Sequence, residues 1–181
     1  MIQRRRVHLF ALLLVVAGVI ISHVSWIERD NGTLLVVDGI EIDLLGQANN
    51  HWVRATRDCQ HVAELQASEP GFASARQTLQ AYSPPSSASA RVASLWTSQT
   101  WGLAEVEFDE LLPAVALMKA TDKGWEIIPP AIWSGFTHPW EPAPLMRRYL
   151  KQQAPEVPQA LLNCFEPRSP SFQPRGTQPV G

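Results

Sequence analysis

Three groups of residues in this 181-residue chain are of types that could do chemistry. The first is an acidic row, Glu105, Glu107, Asp109 and Glu110, in the stretch Ala104-Glu105-Val106-Glu107-Phe108-Asp109. Paired carboxylates serve acid–base catalysis when their surroundings separate their pKa values. Strict alternation with apolar residues puts the first three on one face of a strand, with nothing in the sequence to set them apart. The expectation is a solvated sheet face, with a protein-binding face as its functional version. The second group is Asp58, Cys59 and His61, with His51 nearby. On a helix, positions i and i+2 point about 200° apart, so Cys59 and His61 share neither a metal nor a nucleophile–base contact. No metal site is expected there. The third group is the run from Ala131 to Trp140, bracketed by prolines and holding Trp133, Phe136, His138 and Trp140. Aromatic side chains supply contact area and a histidine supplies a polar contact near neutral pH, so these four, with Glu105 and Glu107, are the candidate binding residues for a partner or ligand. The alternative is an ordered loop whose rings fill the core.

No Gly-rich phosphate loop, Gly-x-Ser-x-Gly elbow or His-Glu-x-x-His run occurs, so no cofactor and no catalytic residue is implied. Asn31-Gly32-Thr33 matches a glycosylation acceptor but reads here as a turn. The formal charge of −2 leaves no basic footprint for nucleic acid. A hydrophobic fraction of 45% is that of a foldable domain and not of a disordered chain. Two cysteines are too few for a disulfide-dense scaffold.

The elements that must position these groups begin with the first thirty residues. Arg4-Arg5-Arg6 precedes an apolar stretch, Val7 to Ile27, without Asp, Glu, Lys or Arg. Its 21 residues would reach about 30 Å as a helix, one hydrocarbon thickness. Trp26 stands where an interfacial aromatic belongs, and the arginine asymmetry puts the N-terminus in the cytoplasm. A cleaved signal peptide starts the same way but needs small residues at −3 and −1. Cuts after Ser25 or Ser22 would place His23 or Ile20 at −3, so an uncleaved signal-anchor is favoured. The expected organisation is a cytoplasmic tail 1–6, a transmembrane anchor 7–27, an exported domain 28–166 and a disordered Pro-rich tail 167–181. The excess of Arg over Lys, with many Ala and Pro, is typical of GC-rich bacterial coding, which makes the exported side the periplasm.

Within the exported part, Asp38-Gly39 between Thr33–Val37 and Ile40–Leu44 signals a hairpin. Asn49-Asn50 offers an N-cap for a helix over 50–67, with Trp52, Ala55, Cys59 and Val62 on its inward stripe. Pro70 opens a second helix that buries Phe72, Ala75, Leu79 and Tyr82. Residues 91–128 read as a meander ended by Pro129-Pro130. Short helices follow at 144–153 and 158–165. The fold class is therefore α+β: an N-terminal transmembrane helix, then one domain of helices packed on a curved antiparallel sheet. At the level of fold this order resembles the cone-shaped domains of the nuclear-transport-factor-2-like (NTF2-like) superfold, although the early hairpin departs from it. That superfold hosts both enzymes and adaptors.

Cys59 and Cys164 lie on predicted helices either side of the sheet, and an exported domain meets an oxidising compartment, so a Cys59–Cys164 bridge is expected. The functional expectation is a membrane-anchored periplasmic interaction module, an accessory subunit with a protein partner in the cell envelope. The alternative is a small-molecule-binding or enzymatic pocket lined by Trp96, Trp101, Trp125 and Trp133 in the sheet's concave face.

Overall fold

The computed structural model describes Leu12, Val15, Gly18 and residues 22–172. The tail 1–6, most of the proposed anchor and residues 173–181 lie outside the described residues. Among the described residues no helix is long and apolar enough to cross a membrane. Ser22 and His23 are helical, but Val24–Ile27, expected at the end of the anchor, belong to a strand.

That strand, β1 (Val24–Arg29), pairs antiparallel with β2 (Gly32–Val37), which pairs with β3 (Ile40–Ile42). The β2–β3 hairpin turns at Asp38-Gly39 as expected. Both residues have positive φ, +50° and +82°, the two left-handed positions a tight primed turn requires. Helix α1 spans Leu44–Thr56. It starts six residues before the expected Asn50, because Asp43 caps it: the Asp43 carboxylate accepts from Gly46 N at 2.8 Å. It ends before Cys59, and residues 63–64 form the short strand β4. Helix α2 (Pro70–Ala81) buries Ala75 and Leu79 as the spacing demands, while Tyr82 is exposed.

The meander is β5 (Arg91–Ser98), β6 (Trp101–Glu107), β7 (Ala114–Thr121) and β8 (Gly124–Ser134), in the sheet order β4-β5-β6-β7-β8. Pro129-Pro130 does not end β8. The prolines fall in a bulge, where residues 128–131 stand opposite Leu117 alone, and β8 is an edge strand that can spare their missing N–H groups. The last helices are α3 (Pro142–Gln153) and α4 (Gln159–Cys164).

The five-stranded sheet is covered on both faces, not one. Gly102, Ala104 and Val106 of β6 look toward α2, where Ala104 and Val106 join Ala75, Leu79, Leu95 and Met118. Trp101 and Leu103 look the other way, onto Met146, Leu150, Leu161, Phe165 and Phe172. Neither face is left open as the concave face of a cone-shaped domain would be: α2 fills one, and α3, α4 and the chain beyond them fill the other. The four tryptophans expected to line one pocket are divided between the faces. Trp96, Trp101 and Trp133 pack on the α3–α4 side and Trp125 on the α2 side. Trp125 donates Nε1–H to Gly71 O at 3.0 Å and lies over Gly102, where a Cβ would meet the ring at 2.8 Å. Residues 167–172, assigned above to a disordered tail, are ordered, with Ser169 and Phe172 buried.

Candidate functional site

Helix α1 packs outside α3 and α4, and its orientation is the reverse of the expected one. Asn50 is buried, whereas Trp52 is 69% exposed. Leu45, Ala48, Trp52 and Ala55, spaced as one stripe of the helix, are all exposed. A polar network turns the helix this way. Arg147 of α3, itself buried, donates from Nη1 to Asn50 Oδ1 at 3.0 Å, from Nε to Leu162 O at 2.9 Å and from Nη2 to Phe165 O at 2.8 Å. Glu166 closes the network, accepting from Arg147, Arg54 and Arg57 at 2.7–3.0 Å. Burial alone would raise the Glu166 pKa, but the hydrogen bonds from Arg54 and the charges of Arg147, Arg54 and Arg57 outweigh it and hold the carboxyl below the usual range. Burial lowers the pKa of Arg147. Cys59 and Cys164 form a disulfide beside this network, with Cα atoms 5.9 Å apart. The bridge expected from the sequence is present, although Cys59 lies in a loop and not on a helix.

Asp43 joins the start of α1 to the start of α3, since its second carboxylate oxygen accepts from Glu141 N at 2.9 Å. Glu141 in turn accepts from Asn50 Nδ2 at 2.9 Å. Here the chain leaves β8 through Gly135–Trp140, and Trp140 becomes the wall shared by three cavities of about 370, 160 and 530 Å³. The β1–β2 turn lines the first and third of these as well. Gly32, at φ +126°, lets that turn approach the Trp140 ring, and Arg148 holds Asn31 O at 2.8 Å. Carboxylates predominate in the lining: Glu28, Asp30, Glu41, Asp43 and Glu141 against Arg29 and Arg148, with Arg29 already paired to Glu41 at 2.8 Å.

The structure therefore separates the candidate binding residues. His138 and Trp140 border this cleft. Phe136 is exposed, and Trp133 is packed edge-on against Phe172 at 5.7 Å. Glu105 and Glu107 are elsewhere, and their face is not solvated. Glu105 is 0% exposed. Its carboxylate accepts from Ser94 Oγ at 3.0 Å and from the backbone N–H groups of Arg168 and Ser169 at 3.0 and 2.7 Å. Glu107, half-buried, accepts from the hydroxyl of Ser169. Arg168 stacks over Trp96 at 5.1 Å and pairs with Glu64 at 2.8 Å. The two glutamates are thus clamps for residues 168–172. Burial raises the Glu105 pKa against the opposing pull of its N–H and O–H donors.

Among the described residues no group of three or more His, Cys, Asp or Glu side chains is placed to hold a metal ion. His51 and His61 are exposed, and Asp58 caps its own turn by accepting from Gln60 N at 2.9 Å. Sequence reasoning missed Asp43, Arg147 and Glu166, and it took Asn50 for an N-cap when Asn50 is a buried partner of Arg147 inside the helix. Asp43 carried a readable signal, a capping residue directly before Leu44-Leu45. The others carried none, because their partners lie far along the chain. No protein-family model, curated protein or solved structure matches this chain.

Proposed function

We propose that this protein is a single-pass, membrane-anchored interaction module whose folded part works in the periplasm as an accessory subunit of an envelope complex. The observation that carries the reading is the outward apolar stripe of α1. Leu45 and Trp52 are 59% and 69% exposed on a helix whose polar side is spent on the Arg147–Glu166 network. A helix turned this way loses the burial of its apolar residues unless a partner restores it. The Cys59–Cys164 bridge supports an oxidising compartment, and the charge-free run Val7–Ile27 after three arginines supports the anchor and its direction.

The test is affinity purification of the tagged full chain from mild detergents, alongside Trp52→Glu. Because Trp52 is exposed, the substitution should change stability by less than about 0.5 kcal/mol. It should nevertheless release a defined partner that the natural chain retains. Recovery of the natural chain alone under several conditions would refute the reading.

A second reading, binding of a small molecule, is favoured by the cavities meeting at Trp140. It moves the pocket from the filled sheet face to the cleft between β1–β2 and α3. Ligand-dependent tryptophan quenching that Trp140→Phe abolishes would select it.

A further inference from the structure

The three-stranded sheet has two unlike faces. Arg29, Leu34 and Glu41 lie toward Trp140 and the body of the domain, with Leu34 fully buried there, and Ser25, Ile27 and Val36 share their face by register. The other face is made of cross-strand rows. Val24, Val37 and Ile40 form the first and Trp26, Leu35 and Ile42 the second; Glu28 with Thr33 form the third, at the end of the sheet that also borders the cavities at Trp140. The first two rows are entirely apolar; Ile40 is 66% and Trp26 57% exposed, and Val24, Leu35, Val37 and Ile42 beside them are half-buried. Nothing else in the domain needs such a face turned outward, since the core is already closed on both sides of the larger sheet.

The position of this face along the chain identifies what covers it. Val24 belongs to the last residues of the charge-free run Val7–Ile27, and it is where the helical Ser22-His23 gives way to β1, so the first row stands at the end of that run's helical part. The hairpin tip is tied to the same point: Asp38 N–H donates to His23 O at 3.1 Å, and the Asp38 carboxylate meets His23 Nδ1 at 2.6 Å. Beyond that exposed polar pair, the apolar rows of the face come first and its charge comes after them. The Val24 and Trp26 rows are about 7 Å apart along the strand, and the charged Glu28 comes about 7 Å later. An interfacial surface sinks about 5–10 Å into the boundary between headgroups and acyl chains, and tryptophan is the residue enriched there. The apolar depth of this face, its aromatic and its charged far edge match that layer.

We infer that the face formed by Val24, Trp26, Leu35, Val37, Ile40 and Ile42 lies in the interfacial layer of the bilayer, so that the domain rests on the membrane through its small sheet and does not hang free from the anchor. The inference rests on the reading of the anchor, proposed over residues 7–27, as membrane-embedded in the part that precedes β1. Docking orients the domain and holds the α1 stripe at a set height for a partner.

The experiment uses the full chain in phosphatidylethanolamine–phosphatidylglycerol vesicles. A spin label is placed through Ile40→Cys in one sample and through Thr33→Cys in another, with the Cys59–Cys164 bridge verified in each. The label at position 40 should be several-fold more accessible to oxygen than to a water-soluble nickel chelate. The label at 33, on the polar end of the same face, should show the reverse. Equal aqueous accessibility at both positions, in protein that resists alkaline carbonate extraction, would overturn the docking and leave the anchor standing. Release by carbonate would overturn both. Shielding of position 40 in native membranes but not in vesicles would assign the face to a protein and overturn the lipid contact. Brominated lipids give an independent reading without new cysteines: they should quench the natural chain more than Trp26→Phe, and equal quenching would count against the inference.

Discussion

Glu105 shows how a single carboxylate can be read wrongly from its neighbours in sequence and still be explained by its neighbours in space. It stands on an alternating strand, which by itself predicts a solvated face, yet it is buried because two backbone N–H groups and a hydroxyl replace its water. Burial raises its pKa in the folded chain, so the native state binds the proton more tightly than the unfolded state does. Stability therefore falls as pH rises from the ordinary glutamate value to the raised one, because the unfolded chain gives up its proton first. Glu105→Gln keeps an acceptor for Arg168 and Ser169 and should flatten that part of the pH–stability curve, at a cost of about 1 kcal/mol or less. Glu105→Ala leaves three donors, the Arg168 and Ser169 N–H groups and the Ser94 hydroxyl, without that acceptor and should cost about 3 kcal/mol. Urea titrations of the three proteins across the weakly acidic range would test both outcomes, and limited proteolysis should find residues 168–172 loosened only in the alanine variant.

At the scale of elements, α1 is held by polar contacts, not by its apolar stripe. Glu166 receives three arginines and ties α1 to the end of α4. Its folded pKa is depressed, so its contribution is present above the ordinary glutamate value and is lost as pH falls through the lowered one. Glu166→Gln strands the buried Arg147 guanidinium with only carbonyl and amide acceptors, and should cost about 3 kcal/mol at neutral pH. The difference from the natural chain should shrink under acid, where Glu166 is protonated in both states. Chemical denaturation at pH 7 and through a series of falling acidic pH values distinguishes this from a packing defect, which would persist throughout. Because α1 carries the exposed Trp52, partner binding should weaken along with the network.

Across the whole molecule, the Cys59–Cys164 bridge closes a loop of 105 residues that holds β4, α2 and the whole meander. The chain-entropy account gives about 4.7 kcal/mol for a loop near this size, less whatever structure the reduced unfolded chain keeps. Replacing both cysteines by serine should therefore lower the midpoint of thermal unfolding by up to roughly 10–20 °C, at roughly 2–4 °C per kcal/mol for a domain of about 150 residues. Differential scanning calorimetry of the oxidised, reduced and double-serine proteins checks this, and equal midpoints would show that the loop ends are held by the Glu166 network instead. The same link joins α4 to the loop after α1, so its loss should expose the segment 57–62 to proteases first.

The sequence by itself determined the parts of this protein whose causes are local. Asp38-Gly39 makes a tight hairpin because two adjacent residues accept positive φ. Pro70 and the Phe72–Leu79 spacing make α2, and the alternations between 91 and 128 make the meander. Only two cysteines exist, so one bridge was the single intramolecular choice. Tertiary structure alone decided which faces are inside. Trp52 points out because Asn50 meets Arg147, 97 residues away, and Glu105 points in because Arg168 and Ser169 bring N–H groups from more than 60 residues away. It also decided that Pro129-Pro130 stays within β8, since only the sheet order reveals an edge strand with room for a bulge. Hydrophobic periodicity reports what a segment would bury against an apolar neighbour. It is blind to a buried polar partner, and here such partners, reached only through the fold, turned α1 around and closed the acidic face.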